Sequence, residues 1–276
     1  MKTRNAFRMN YGPWALVTGA SSGIGAEFAR QLARKGLNIV LVARGQAALE
    51  EVATRIRVEH KIEARTVVAD LATEAGIRAV QEAVGDLDVG LLVNNAGRED
   101  SGYSLQTPIE QTMNTIALNI TAPMALTHGC AQAMVKRKKS GLIFMSSLVA
   151  FQGVPLIANY AGSKAYNLVF AESLAAEFKQ YNIDVAIGAP GFTNTKLASG
   201  FDFSRLPKPM SPAKVASDLI RSLGKRRVTV SGALNKFLYF SGKYLLPRKL
   251  NSFSFGQVFK TVLRKKLAKA SAEGGV

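Results

Sequence analysis

The sequence holds a single cysteine, Cys130, so no disulfide can close within the chain and a cytoplasmic setting is expected. It has only two histidines, His60 and His128, far apart, which leaves too few ligands for a dedicated zinc site, and no metal is expected. No stretch of about 18 consecutive apolar residues occurs, so no bilayer-spanning helix is expected. Residues 1–10 are basic but lack the apolar run of a secretory signal. Acids are also scarce, with 19 Asp and Glu against 36 Lys and Arg, for a formal net charge of +17. The imbalance is local: residues 224–276 carry twelve Lys or Arg and one acid, Glu273. The basicity therefore belongs mainly to a tail, and it points to an anionic partner, either nucleic acid or anionic lipid.

What is present is an ordinary globular balance. The chain has 276 residues, 47% hydrophobic and 20% charged, enough for one large domain or two small ones with a sizeable core. Short apolar runs of β-forming residues fall at 14–18, 37–43, 62–68, 89–93, 141–146 and 183–189, with a weaker one at 227–230. Helical-length segments lie between them, near 24–35, 46–59, 73–84, 107–137, 157–181 and 212–223. This alternation predicts an α/β, Rossmann-type doubly wound parallel sheet of about seven strands, covered by helices on both faces. The proline-rich patch at 206–212 predicts a loop inside that domain.

The first strand runs into Thr18-Gly19-Ala20-Ser21-Ser22-Gly23-Ile24-Gly25, with helix signals immediately after. Glycine suits a tight strand-to-helix turn, a close approach of backbone to pyrophosphate, and a helix packed hard on its strand. The helix N-terminus offers free N–H groups to phosphate, and Ser21 and Ser22 add hydroxyl donors. Strand two ends Leu41-Val42-Ala43-Arg44-Gly45. An acid at this tip holds the ribose hydroxyls in NAD sites. Here no acid stands at the tip and Arg44 follows it, a guanidinium suited to a 2′-phosphate, so NADP(H) is expected over NAD.

Further motifs follow in order: Asp70-Leu71, Asn94-Asn95-Ala96-Gly97, Asn119, Ser146-Ser147, Tyr160-Ala161-Gly162-Ser163-Lys164 and Pro190-Gly191-Phe192-Thr193-Asn194-Thr195. Together with Thr18–Gly25 this set resembles the short-chain dehydrogenase/reductase family over about residues 12–232. Tyr160 and Lys164 are i and i+4 on a helix and share a face. A phenol with an ordinary pKa of about 10 needs a cationic neighbour to lower it for acid–base work near neutrality, and Lys164 is expected to do so.

The resemblance implies four catalytic residues. Tyr160 is the acid–base, Lys164 also holds the nicotinamide ribose, Ser147 bonds the substrate oxygen, and Asn119 holds a water relaying protons to Lys164. Ser146 is read as structural. The implied cofactor contacts are Gly19, Ser21, Ser22, Gly23, Ile24 and Gly25 at the phosphates, Arg44 at the 2′-phosphate, and Asp70 and Leu71 at the adenine. Asn94, Ala96 and Gly97 line the ribose and cleft, and Pro190, Gly191, Thr193 and Thr195 meet the carboxamide and phosphates. His128 and Cys130 are read as packing residues.

By the same resemblance, the substrate pocket is built from 98–103, 148–159 and 196–210. The latter two are rich in Leu, Val, Ile and Phe, which suggests an apolar ketone, aldehyde or 3-oxoacyl-type substrate. Family members often end soon after strand seven, whereas this chain continues. Two helix candidates, 233–246 and 252–267, carry seven of the chain's 22 aromatics among lysines and arginines. That composition suits a membrane interface, where cationic side chains snorkel toward headgroups. The sequence thus divides into 1–232, an NADP-binding catalytic domain, and 233–276, a basic aromatic helical extension. Contact of the extension with an anionic membrane at the inner face, or with the body or a sister subunit in a homodimer or homotetramer, is expected. Nucleic acid is disfavoured because the cations are interleaved with aliphatics. The alternative to an oxidoreductase is a non-catalytic NADP-binding sensor or scaffold anchored through the tail. The presence of Ser147, Tyr160 and Lys164 together argues for the enzyme.

Overall fold

The computed structural model describes residues 2–272. Helix α1 (Lys2–Tyr11) precedes strand β1 (Trp14–Thr18), helix α2 (Gly23–Arg34), β2 (Asn38–Ala43), α3 (Gln46–His60), β3 (Ala64–Val68), α4 (Glu74–Ala83) and β4 (Val89–Asn94). There follow α5 (Ile109–Ile116), a π-helical turn (Ala117–Thr121), α6 (Ala122–Met134), β5 (Ser140–Met145), α7 (Ala158–Glu177), β6 (Ile183–Gly188), α8 (Pro212–Ser222) and β7 (Val228–Thr229). The extension comprises α9 (Ala233–Phe240), a second π turn (Ser241–Leu245), α10 (Arg248–Val262) and α11 (Arg264–Ala272).

The seven strands form one sheet in the order β3-β2-β1-β4-β5-β6-β7, every pair parallel. The expected doubly wound architecture is what the chain adopts. Residues alternate across the strands. Ala15 and Val17 face Phe28 and Leu32 of α2 and Leu219 of α8, while Trp14 and Leu16 face Ile77 of α4, Leu126 of α6 and Leu168 of α7. A strand covered on both sides is apolar along most of its length, and β1, β4 and β5 are buried throughout. The two edge strands, β3 and β7, are half-exposed along their lengths. Chain order reverses between β1 and β4, so their following helices leave to opposite faces and a cleft opens at the strands' carboxyl ends.

One element is new and two sequence expectations are corrected. The basic N-terminal segment is helical, and Tyr11 in its last turn donates from its hydroxyl to Asp184 at 2.5 Å. The single helix expected over 107–137 is two helices joined by a π turn. Pro123 has no N–H to offer the carbonyl four residues back, that of Asn119, which accepts from Asn167 Nδ2 at 2.8 Å. His128 is exposed rather than packed, whereas Cys130 packs partly buried against the core and its thiol is pushed up to about 12 by burial.

The extension lies against the body along one face. Phe259, Val262 and Leu263 are buried among Val149, Val154, Ile157 and Ala161. Tyr239 packs on Phe151 with ring centroids 4.6 Å apart. The buried amides of Asn251 and Gln152 bond at 3.1 Å. Arg264 pairs with Asp202 at 2.7 Å, and Lys266 donates to Ser101 Oγ at 2.8 Å. No helix among the described residues is long and apolar enough to cross a membrane.

Leu263 is fully buried 31 residues beyond Gly232, so it tests whether the extension shares the body's core. Leu263→Ala should lower the unfolding free energy by about 2–5 kcal/mol in urea denaturation, with one transition for the whole chain. An unchanged midpoint would mean that the extension is held separately.

Candidate active site

The cleft holds a cavity of about 870 Å³ at the carboxyl ends of β1, β4, β5 and β6. Its floor is set by one hydroxyl. Thr18 Oγ1, at the end of β1, donates to the carbonyl of Val93 at 3.2 Å and accepts from the backbone N–H groups of Asn95 and Ala96, each at 2.9 Å. Asn95 Nδ2 returns a bond to the Thr18 carbonyl at 2.8 Å. The β1–α2 loop and the β4 turn are thereby locked edge to edge.

The loop itself needs glycine at two kinds of position. Gly19 takes φ +66°, and a Cβ there would meet Asn95 Nδ2 at 2.9 Å. At Gly25 a Cβ would fall 2.1 Å from the Gly19 carbonyl oxygen, so only glycine lets α2 begin this close to the strand. Gly19, Ser21, Ser22, Gly23 and Ile24 line the cavity, while Gly25 supports them from beneath. The first turn of α2 contains no acid, which leaves the positive end of its dipole uncompensated. Thr195 closes over this loop, its Cγ2 standing 3.1 Å from where a Gly23 side chain would begin. The cradle thus fits a pyrophosphate by room, by donors and by sign. Arg44 lines the far end of the same cavity with Asp70, 4.0 Å from it, and Leu71.

Ala96, Gly97, Pro190, Gly191 and Thr193 are also cavity-lining, as their motifs predict. Asn94 is not. Its side chain is buried and donates to Thr127 Oγ1 at 2.9 Å, on the other side of β4. The neighbouring Asn95 faces the cavity in its place.

Ser147, Tyr160 and Lys164 converge on the cavity from the end of β5 and the first turns of α7. Ser147 opens a short 3₁₀ turn, its hydroxyl accepting from Val149 N–H at 3.4 Å. Ser146 instead points inward and donates to the Lys164 carbonyl at 2.7 Å, a structural bond. Lys164 Nζ lies 5.6 Å from the Tyr160 ring centre and donates to the Met145 carbonyl at 2.9 Å. Burial pushes Lys164 down to about 8. It also pushes the Tyr160 phenol up to about 12, with the Ser147 hydroxyl pulling it back and the Glu99 carboxylate adding to the rise. This is opposite to the lowering by Lys164 that the sequence suggests, because enclosure of the phenol outweighs its neighbours.

Asn119 sits below the cavity, fully buried in the π turn. Its Nδ2 donates to the Arg98 carbonyl at 3.0 Å and to Ser163 Oγ at 2.9 Å, and its Oδ1 accepts from Arg98 N–H at 3.0 Å. The side chain is a clip on the segment that follows Gly97. Of the three predicted substrate loops, Arg98, Glu99, Leu148, Val149, Ile157, Leu197 and Phe201 reach the cavity. Val154, Leu156 and Phe203 are core packing instead. The sequence places the extension's amphipathic helices beside the active-site mouth but does not single out the residues they give to the wall, namely Asn235, Leu238, Phe255 and Phe259. Helical spacing in 233–240 held the signal: Asn235 and Leu238 are three apart on one stripe, and Leu234 and Phe237 on the next.

Similarity to known proteins extends this geometry. The sequence profile described as short chain dehydrogenase matches residues 13–202. A very-long-chain 3-oxoacyl-CoA reductase of Laccaria bicolor is 34% identical over 208 residues, covering 74% of this chain and 62% of the relative. The chain therefore spans about three-fifths of that curated relative's length. A solved 7beta-hydroxysteroid dehydrogenase superimposes with a TM-score of 0.84 at 26% identity, covering 91% of this chain and 99% of that one. A short-chain dehydrogenase from Sphingobium yanoikuyae, solved in complex with NADPH, gives 0.75 at 32% identity over 79% and 87% of the two chains.

The buried ammonium of Lys164 carries a stability signature. Its folded-state pKa, about 8, lies below the ordinary 10.5. Below about pH 8 the charge is buried at full cost. As pH rises toward 10.5 the folded state sheds the proton before the unfolded state does, so stability rises with pH in that window. Lys164→Met should abolish this rise, and its stability relative to the parent should fall by roughly 1–3 kcal/mol between pH 7.5 and 10. Chemical denaturation without nucleotide at several pH values measures it, and parallel pH profiles would disprove the burial cost.

Proposed function

The chain belongs to the short-chain dehydrogenase family, and on that premise we propose that it transfers hydride between NADP(H) and a carbonyl/alcohol pair, reducing an apolar ketone, aldehyde or 3-oxoacyl-type substrate. The observation that carries this reading is the convergence of Ser147, Tyr160 and Lys164 on one cavity whose opposite wall is the glycine cradle. The names of the Laccaria relative and the NADPH-bound neighbour support the substrate class and the cofactor.

Gly19, Ser21, Ser22, Gly23, Ile24 and Thr195 would hold the phosphates, with Gly25 supporting them, Arg44 would hold the 2′-phosphate, Asp70 and Leu71 would border the adenine, and Gly97, Pro190, Gly191 and Thr193 would hold the nicotinamide half. When bound, the reduced nicotinamide supplies the hydride. Ser147 Oγ donates to the substrate carbonyl oxygen as negative charge gathers there. Tyr160 passes its phenolic proton to the same oxygen, leaving an alcohol and a phenolate. Lys164 would hold the nicotinamide ribose, and its ammonium balances the phenolate until solvent returns the proton. Asn119 serves this chemistry as a positioning residue by fixing Gly97 and Arg98. A phenol held near 12 is protonated at neutral pH, the form Tyr160 needs as proton donor in reduction.

We take 1–232 as the catalytic unit and 233–276 as its extension. The protein works in the cytoplasm as a homodimer or homotetramer, peripheral on the inner membrane face. Exposed Ile109, Met113, Met124 and Val169 on α5, α6 and α7 support a subunit contact there. The lysines and aromatics of the extension support the membrane contact.

NADPH oxidation should accompany reduction of at least one member of a ketone, aldehyde and 3-oxoacyl thioester panel. Tyr160→Phe should cut turnover by about 100-fold or more while leaving NADPH binding intact. Full turnover by that variant would overturn the assigned mechanism. Tight NADPH binding by the parent protein with no turnover on any substrate would leave a sensor or scaffold.

Arg44→Asp sets a carboxylate against the 2′-phosphate. It should weaken NADPH by on the order of 10–100-fold and spare NADH, as read by calorimetry. Tighter binding of NADH than of NADPH by the parent protein would refute the reading of strand two.

A further inference from the structure

The extension has two faces, and only one is accounted for by the fold. Its inner face is core and cavity wall. On its outer face Phe237 is 64% exposed, Tyr244 60%, Leu245 65% and Phe253 61%, with Phe240 and Leu250 about half exposed between them. Every residue from 243 to 250 is exposed, a stretch reading Lys-Tyr-Leu-Leu-Pro-Arg-Lys-Leu. Water-exposed leucines and aromatics in this density are costly to solvate unless something covers them.

Charge decides what covers them. Between residues 225 and 272 there is no Asp or Glu, and Lys243, Arg248 and Lys249 stand within the apolar stretch itself. A second copy packed two-fold on this face would bring those cations against their own images with no acid to pair them. Nucleic acid would leave the leucines in water. An anionic bilayer surface satisfies both halves, with apolar side chains in the acyl boundary and cations at the headgroups. Lys243 is already arranged for that boundary. It bonds the Tyr239 hydroxyl at 3.1 Å, lies over the rings of Tyr239 and Tyr244 at 5.4 and 5.3 Å, and these phenols hold its pKa above the ordinary lysine value.

The same ridge borders the cavity. Asn235 and Leu238 of α9 line it, while Leu234 and Phe237 on the adjoining stripe are exposed, and Leu197 is both exposed and cavity-lining. Helix α9 is therefore a partition about 10–12 Å thick between the reaction cavity and the outer face. Building on the proposed function, we propose that the α9–α10 ridge docks on anionic phospholipid and turns the cavity mouth toward the bilayer, so that apolar substrate passes from lipid to Tyr160 without crossing bulk water.

The test uses the full chain and Tyr244→Ser/Leu245→Ser/Leu250→Ser, three exposed positions outside the cavity. Flotation is measured on phosphatidylcholine vesicles with and without phosphatidylglycerol, at low and high salt. Turnover is measured on a long-chain 3-oxoacyl thioester dissolved in the vesicles and on a short, water-soluble one. The parent should float only with phosphatidylglycerol and release in high salt. The variant should bind at least about tenfold more weakly, lose the vesicle-dissolved substrate by a similar factor, and turn over the soluble one as the parent does. A parent protein that ignores anionic vesicles at low salt overturns the docking surface. So does a variant that changes oligomeric state in ultracentrifugation with vesicle binding unchanged. Equal turnover of the vesicle-dissolved substrate by both proteins overturns the lipid-side route. Flotation without turnover of either thioester leaves the docking in place and defeats the 3-oxoacyl reading instead.

Discussion

The Thr18 hydroxyl is the bond on which the site depends. It lies at the reversal point of the sheet, where β1 and β4 send their helices to opposite faces and would otherwise part. One oxygen there gives one hydrogen bond and takes two, in a buried setting where each is stronger than in water and each loss dearer. The glycine cradle hangs from the β1 side of this clasp and the Gly97 turn from the β4 side. The spacing between phosphate and nicotinamide subsites is thus set by backbone, before any cavity side chain has a say.

Chemistry imposes the next constraint, because it requires burying groups that a stable core would exclude. Lys164, Asn119, Ser146 and Thr193 are almost wholly enclosed. Each is tied down by bonds to backbone carbonyls or to other enclosed side chains, and Lys164 still loses much of its affinity for a proton. Asn119 shows how the expense is contained. A proline four residues on releases its carbonyl, a π turn brings the amide inward, and three bonds then make that amide a brace for the loop that walls the site. Local irregularity in the helix is what places the brace.

Most of the architecture was legible because the buried strands and amphipathic helices announce themselves by period, and the glycine loop by its spacing. What stayed hidden has identifiable physical causes. Helix α1 shows only Phe7 and Tyr11 as apolar anchors, and it is fixed by their packing on the core and by the long-range bond from Tyr11 to Asp184. Asn94 and Asn95 are adjacent and chemically identical, so only the pleat of β4 decides which faces the cavity. The direction of the Tyr160 shift depends on enclosure and on Glu99, a carboxylate 61 positions away in sequence, whereas the spacing to Lys164 was visible. Which of the extension's aromatics face the body was not legible because its two stripes interleave, with Phe255 and Phe259 turned inward and Phe253 outward.

That interleaving has a consequence for how the protein is made. The residues that line the nucleotide cradle have all been synthesised once β6 and its loop are made, but Leu238, Phe255 and Phe259 reach the ribosome exit later by several tens of residues. At about 5–20 residues per second this delay is on the order of seconds, far longer than a helix needs to form. For that interval the apolar trough of Val149, Ile157 and Phe201 has no cover, a surface that invites chaperones or aggregation. The last wall of the cavity to be made is thus the one the extension supplies, after both the nucleotide side and the inner substrate loops.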